Sequence, residues 1–131
     1  MFLDASALTA MLSDENDAHS LYARMEVYPH RTTSPMAVWE TVCAVARRLG
    51  LDVLETEAAV ETFLKAFSIE VQAIPPEIRH DAIAAHARFG KGLHPAALNF
   101  GDCFAYACAR HANAPLLYKG EDFAQTDIEA A

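Results

Sequence analysis

The chain has 131 residues, of which 53% are hydrophobic, and its net charge is −8. This composition excludes a disordered chain, and the length predicts one domain over residues 1–131. No apolar run approaches the roughly 20 residues of a membrane-spanning helix, so we expect no membrane partner. Because the start lacks signal-peptide features and the three cysteines show no CxxC spacing, we expect a reduced, cytoplasmic protein.

The first third of the chain predicts two helices and two short strands. Residues 1–4 form a very short strand that Asp4 closes, and Ala5 to Ser13 form a helix that Asp4 can cap. A second helix is expected from Ala18 to Val27. Residues 31–33 are a short run that weakly favours a strand.

Ser34-Pro35 is the clearest helix start, because a hydroxyl cap precedes a proline at the first helical position. This helix is predicted to end near Leu49, with Gly50 as its C-cap. Glu40 lies on a different face from the core stripe, and taken alone it is an ordinary surface glutamate. The predicted core stripe consists of Val38, Val42, Val45 and Leu49.

The remaining pattern predicts two more helix–strand alternations. Residues 52–67 form an amphipathic helix, residues 69–74 a strand, and Pro75-Pro76 open a helix that reaches Phe89. Residues 115–118 form the last strand. Four short strands alternating with helices predict an α/β domain with a mainly parallel central sheet flanked by helices. The apolar side predicted for the first of these helices comprises Val53, Leu54, Val60, Phe63, Leu64 and Phe67.

A helix start near Asn99 places Asp102 at N3, the acidic position of a capping box. The helix dipole favours the ionised form of Asp102 there, which alone explains the residue. Other acids are expected near Asp102, however, because Asp4 and Asp122 each follow a strand. Strand ends and the helix starts that follow them meet at one edge of a parallel sheet.

Carboxylates gathered at one edge repel one another unless a cation neutralises them. Hard oxygen ligands favour Mg²⁺ or Mn²⁺. The acidic charge argues against a nucleic-acid partner, but removing five candidate ligands from the count of −8 leaves −3, which two divalent cations would bring close to neutral. The five are Asp4, Glu40, Asp102, Asp122 and Asp127.

Several segments together carry a resemblance that covers nearly the whole chain. They are Phe2–Ala7, Ser34-Pro35 with Glu40, His94–Tyr106, Leu116–Phe123 and Thr126–Ile128. The chain resembles the PIN-domain ribonucleases, and within them the VapC toxins of type II VapBC toxin–antitoxin pairs. The resemblance implies a PIN-like domain and a metal-dependent endoribonuclease that hydrolyses RNA through a metal-activated water.

The resemblance also implies the roles of individual residues. Glu121 stands where relatives often have Asp or Asn, and Leu93 stands where many have a basic residue. Arg47, Lys91 and His94 are candidate RNA contacts, as is Lys119. The implied metal ligands are Asp4, Glu40, Asp102, Asp122 as the fourth acid, and Asp127 as its close alternate.

The partners implied by the resemblance are RNA, a VapB-type antitoxin and a second copy of the chain, with operator DNA bound only through the antitoxin. The helices around 38–49 and 53–67 are candidate contact surfaces. Two other function classes stay open at this point. A receiver-like phospho-acceptor domain would need an acidic pair after the first strand, where Asp4 is a single acid, and a non-catalytic binding module would use the acids as caps and surface charges.

Overall fold

The computed structural model describes all residues, 1–131, and has a central sheet of four strands. All neighbouring strands pair in parallel, in the order β3-β2-β1-β4. The predicted α/β architecture is therefore confirmed. The strands are β1 (Phe2–Leu3), β2 (Arg31–Thr33), β3 (Ile69–Val71) and β4 (Leu116–Leu117).

Six helices cover the two faces of the sheet, and a short 3-10 helix follows at Phe123–Gln125. The core has two halves because successive strand residues point to opposite faces. Phe2 belongs to the half of the core that is packed by the helices at residues 78–89 and 100–111. Leu3 belongs to the other half, which is packed by the four helices that come earlier in the chain. None of the six helices combines the length and apolar character needed to cross a bilayer. The helices are α1 (Ala5–Leu12), α2 (Ala18–Glu26), α3 (Pro35–Leu49), α4 (Val53–Ala66), α5 (Ile78–Phe89) and α6 (Phe100–His111).

The ends of α3 form as its sequence predicts. The Ala37 amide donates to Ser34 Oγ at 3.2 Å, which satisfies one of the free donors of the first turn. Gly50 ends the helix in the left-handed conformation, with φ of 67°. This helix carries Glu40 toward the sheet edge, so its fixed ends help to position a candidate site residue.

Two predicted boundaries are wrong in the 69–89 region. Strand β3 ends at Val71 rather than at Ile74, and α5 begins at Ile78 rather than at Pro75. The last ladder bond here runs from the Gln72 amide to the Thr33 carbonyl at 2.9 Å. Beyond it, each residue before a proline is held away from helical geometry, so Pro75-Pro76 delays the helix instead of starting it.

The predicted core stripes are only partly right. Val42 and Val45 are buried on α3, but Leu49 is exposed and Val38 is half-buried. On α4, Val53 and Leu54 are exposed, although Thr56 in the same turn is buried. Small and polar residues complete the buried side of α3, where the Thr41 hydroxyl is satisfied by the Ala37 carbonyl. The buried residues of α3 are Ala37, Thr41, Val42, Val45 and Ala46.

Candidate functional site

An acidic pocket of about 280 Å³ lies at the carboxyl edge of the sheet, where β1 runs between β2 and β4. In an open parallel sheet this is where connections leave in opposite directions and a crevice forms. Three of the predicted acids line it, and each comes from a different segment of the chain. The residues lining the acidic pocket are Asp4, Ala5, Ser6, Thr9, Glu15, Glu40, Ala44, Asn99, Asp102 and Lys119.

Asp4 is the most rigidly held of these acids, and only 3% of it is exposed. Its amide donates to the Leu117 carbonyl at 2.9 Å, which fixes the end of β1 against β4. The Ser6 amide and hydroxyl donate to Asp4 Oδ2 at 2.9 and 2.5 Å. Burial raises the pKa of Asp4 above its ordinary value, although the Ser6 bonds oppose that shift and the Asp122 charge adds to it.

Ser6 also connects Asp4 to the segment after β4, because its hydroxyl oxygen accepts a bond from the Lys119 amide at 3.0 Å. One hydroxyl thus donates to a buried carboxylate and accepts from a backbone amide. The spacing of Ser6 from Asp4 allows its hydroxyl to reach the site, but its bond to Lys119 has no local sequence signal. The bond joins residues that are 113 positions apart.

Asp102 stands at the start of α6 in a complete capping box. The Asn99 amide donates to Asp102 Oδ2 at 2.8 Å, and the Asp102 amide donates to Asn99 Oδ1 at 3.0 Å. Burial raises the pKa of Asp102 to about 6, the Asn99 amide lowers it, and the charges of Asp4 and Asp122 raise it further. Burial and the neighbouring charges therefore outweigh the effect of the cap on this pKa, which still leaves Asp102 mainly ionised at pH 7.

Glu40 reaches the acidic pocket by lying against α6. A Cβ on Gly101 would come within 2.1 Å of Glu40 Oε1, so only glycine leaves room for the carboxylate in this position. Burial raises the pKa of Glu40 to about 7, and the charges of Asp4 and Asp102 contribute. Gly101 was missed in the sequence, although a glycine inside a helix, directly before an acid, often has such a packing reason.

The last segment separates two acids that the sequence could not distinguish. Asp122 is exposed and does not line the acidic pocket, but it lies near enough for its charge to raise the pKa of both Asp4 and Asp102. Asp127 is held elsewhere, because it accepts from the Tyr106 hydroxyl at 2.5 Å and from Arg88 at 3.0 Å. These bonds, with the Tyr106 contribution the largest, hold the pKa of Asp127 below its ordinary value.

A network of ion pairs forms one wall of the acidic pocket. Glu15, whose side chain is only 10% exposed, pairs with Arg48 at 3.2 Å and with the Lys119 ammonium. Lys119 also pairs with Asp17 at 3.1 Å. These carboxylates hold the pKa of Lys119 above its ordinary value, with the Glu15 bond the largest cause. The Lys119 charge is thus engaged inside the protein.

The other expected RNA contacts differ in their surroundings. His94 serves the loop before α6, because its Nδ1 accepts from the Ala96 amide at 3.1 Å and its ring packs edge-on against Phe89. Arg47 and Lys91 are exposed. The structure therefore leaves these two cations accessible, while His94 and Lys119 have partners of their own.

The donor set of the acidic pocket suits a hard divalent cation. Asp4, Glu40 and Asp102 offer carboxylate oxygens, and burial, together with the charges of neighbouring acids, raises their pKa values, so a counter-charge would favour their ionised forms. No group of three or more His, Cys, Asp or Glu side chains is close enough together to form a finished coordination shell. Asp4, Glu40 and Asp102 thus suit Mg²⁺ because they are carboxylates that line one pocket.

Comparison with known proteins places the chain in a family. Residues 1–129 match the model of the PIN domain. The chain is 39% identical over 128 residues to the VapC ribonuclease Mb0640 of Mycobacterium bovis, covering 98% of this chain and 95% of the relative. It is 38% identical to a ribonuclease VapC of Mycolicibacterium smegmatis, covering 99% and 98% of the two chains. The VapC ribonuclease R02377 of Rhizobium meliloti is 36% identical, with 97% and 98% covered.

A solved structure shows the same fold. The crystal structure of VapC20 of Mycobacterium tuberculosis, described as a sarcin-ricin loop cleaving toxin, superposes with a TM-score of 0.77. The superposition covers 99% of this chain and 97% of that one, at 17% sequence identity. The acids at the sheet edge, the parallel sheet and these matches agree: the chain belongs to the PIN-domain family and, within it, to the VapC ribonucleases.

Proposed function

We propose that this chain is a metal-dependent endoribonuclease, the toxin of a type II toxin–antitoxin pair, which hydrolyses RNA phosphodiester bonds with Mg²⁺ or Mn²⁺. The observation that carries the proposal is the convergence of Asp4, Glu40 and Asp102 in one pocket. Membership in the VapC ribonucleases supports the activity. The proposed metal ligands are Asp4, Glu40, Asp102 and, from the β4 side, Asp122.

Two of these acids are held in place by hydrogen bonds from neighbouring residues. In Asp4 both Ser6 bonds fall on Oδ2, and in Asp102 the Asn99 bond falls on Oδ2. Asp4 and Asp102 would therefore hold the cation with carboxylates that are already oriented. Mg²⁺ held there would lower the pKa of a bound water and stabilise charge on the leaving oxygen of the phosphodiester.

The surrounding residues orient the reaction. Ser6 and the Asn99 cap hold Asp4 and Asp102 at fixed angles, which reduces the reorganisation needed when a cation binds. Glu40 is held beside Asp102 by its contact with Gly101, so a third carboxylate is available to the cation. Lys119 stays paired with Glu15 and Asp17, so its charge supports the pocket wall.

The partners belong to the same proposal. A VapB-type antitoxin would place a basic side chain among the acids, which suits a pocket with three carboxylates in a chain of net charge −8. We also propose that the chain forms a homodimer and is located in the cytoplasm. In this proposal, operator DNA is bound only through the antitoxin. Three free cysteines support a reducing compartment.

The choice of the fourth acid follows the resemblance, and the surroundings of the two candidate residues support it. Asp122 acts electrostatically on Asp4 and Asp102, whereas Asp127 is neutralised by Arg88. Asp122 is therefore our fourth acid, and Asp127 is assigned a structural role.

The test of the proposed function is RNA cleavage by the purified protein. Mg²⁺ should support cleavage, excess EDTA should stop it, and re-added Mg²⁺ should restore it. Asp102→Asn should abolish cleavage, while Asp127→Asn, at an exposed acid outside the acidic pocket, serves as the matched control and should cleave normally. Undiminished cleavage in EDTA or in Asp102→Asn would contradict the proposal.

A further inference from the structure

A second groove, of about 630 Å³, runs between α5 and the start of α6. Its walls are mainly apolar and include Ile83, Phe100 and Phe104. Asn99, the cap of α6, lines both this groove and the acidic pocket. The two are therefore neighbours on one surface, and a chain molecule lying across Asn99 would occupy both.

The aromatic wall of the groove is unusually open to solvent. Phe100 is 70% exposed, and its ring lies 5.0 Å from that of Phe104 at a tilted angle of 55°. Ile83 is 66% exposed on the facing helix. Large apolar side chains grouped at the surface beside a functional site mark a binding surface. An exposed phenyl face also offers a stacking platform for a nucleobase of any identity.

Two cations complete the groove. Arg79 and Lys91 both line it, and neither has a carboxylate within ion-pair distance. Arg79 donates to the Pro76 carbonyl at 2.6 Å, which directs its side chain without neutralising it. The two side chains place positive charge next to the acidic pocket of a chain with net charge −8. If the apolar surface of another protein covered the groove, both cations would be buried without partners, at a cost in free energy.

We propose that this groove binds the nucleotides of the RNA strand next to the scissile phosphate. A base stacks on Phe100, and Arg79 and Lys91 contact phosphates. The inference rests on the proposed function, because the acidic pocket defines where the scissile phosphate lies. It adds a substrate-binding site that combines sequence-tolerant stacking with two electrostatic contacts.

The test measures binding separately from cleavage. Fluorescence anisotropy gives the Kd of a fluorescein-labelled single-stranded RNA of about 12 nucleotides for the Asp102→Asn protein at several salt concentrations. Gel analysis of the same samples shows whether the RNA stays intact. Cleavage there would count against the proposed function, whereas the groove is judged by Kd in the variants.

Each groove variant has its own expected signature. Phe100→Ala should weaken binding about tenfold with an unchanged salt slope, because stacking carries no ion release. Phe100→Trp should restore affinity. Replacing Arg79 and Lys91 together by Ala should lower the slope of log Kd against log salt by roughly 1.4, or 0.7 for each lost phosphate contact on a single strand.

Matched controls lie outside the groove. Leu54→Ala removes a side chain that is 73% exposed on α4, and Arg110→Ala removes an exposed cation at the other end of α6. Neither should change Kd or salt slope. Wild-type-like Kd and slope in the Phe100 and Arg79/Lys91 variants would overturn the proposal. A change of molar mass by light scattering in Phe100→Ala, with Kd unchanged, would assign the groove to a second copy of the chain and overturn it too.

Discussion

The carboxylate of Glu40 lies directly on the backbone of Gly101, at a place where any Cβ would come within 2.1 Å of Glu40 Oε1. This contact brings an acid of α3 to the first turn of α6, beside Asp102. Glycine inside a helix costs about 1 kcal/mol relative to alanine. The chain thus gives up helix stability at the point where it brings two acids together.

Gly101→Ala should separate stability from activity. The added methyl group should displace the Glu40 side chain, lowering kcat by tenfold or more, which corresponds to about 1.4 kcal/mol of transition-state stabilisation. Thermal unfolding should show an unchanged or higher Tm, because alanine favours the helix and the Glu40 side chain can move. In a Glu40→Ala background the same substitution should cost no further activity. An equal additional loss in both backgrounds would show that Gly101 does not act through Glu40.

Ser6→Ala should affect both the fold and the site, since the hydroxyl donates to Asp4 and accepts from the Lys119 amide. Leaving two buried polar groups without this partner should lower the free energy of unfolding by about 1–3 kcal/mol. Chemical denaturation measures that loss, and cleavage should fall with it. Ser6→Thr keeps the hydroxyl and should recover most of the activity, while Ser20→Ala, at an exposed serine of α2, should change neither quantity.

Asp122→Asn and Asp127→Asn should give opposite results. Removing the charge of Asp122 should weaken Mn²⁺ binding, measured by titration calorimetry, because this charge acts on Asp4 and Asp102. Asp127→Asn should keep Mn²⁺ affinity and lower Tm by a few degrees, since only its exposed pair with Arg88 and its bond from Tyr106 are weakened. The reverse pattern would make Asp127 the fourth acid.

Stability in EDTA should fall as pH rises. The folded-state pKa values of Glu40, about 7, and Asp102, about 6, lie above their ordinary values. Between pH 4 and pH 7 the folded state therefore binds more protons than the unfolded state, so these acids lose their stabilising contribution as they ionise. Tm should be lower at pH 8 than at pH 5, and Mg²⁺ should raise Tm at pH 8.

The control for the pH prediction is Glu40→Gln, which removes the group with the higher of the two pKa values. Its Tm should depend less on pH between 5 and 8 than that of the unchanged protein. An identical pH dependence in the two proteins would mean that Glu40 is not the group that titrates.

Local sequence signals predicted the elements that carry the site. Ser34 and Gly50 define α3, and Asn99 with Asp102 defines the start of α6, because caps depend on residues three or four apart. Strand ends then place Asp4 at the sheet edge. These parts of the site follow from short-range rules and the parallel sheet.

The missed parts depend on contacts between distant segments. Glu15 pairs with Lys119, 104 positions away, and Asp127 is drawn from the site by Arg88 and Tyr106. The apolar side predicted for α4 was also wrong at Leu54, which lies on the solvent face with Ala58, whereas Thr56 takes the buried position in that turn. Only the assembled fold decides which carboxylates meet and which are neutralised by arginine or lysine.

The most direct test of the central claim is the chemistry of the RNA ends produced by cleavage. Hydrolysis by a water activated at the acidic pocket predicts 5′-phosphate and 3′-hydroxyl ends, formed with Mg²⁺ and lost in Asp102→Asn. Ligation and phosphatase sensitivity of the products identify these ends. Products with 2′,3′-cyclic phosphate and 5′-hydroxyl ends, formed equally well in EDTA, would contradict the account, since they arise by attack of the RNA 2′-hydroxyl without metal-activated water.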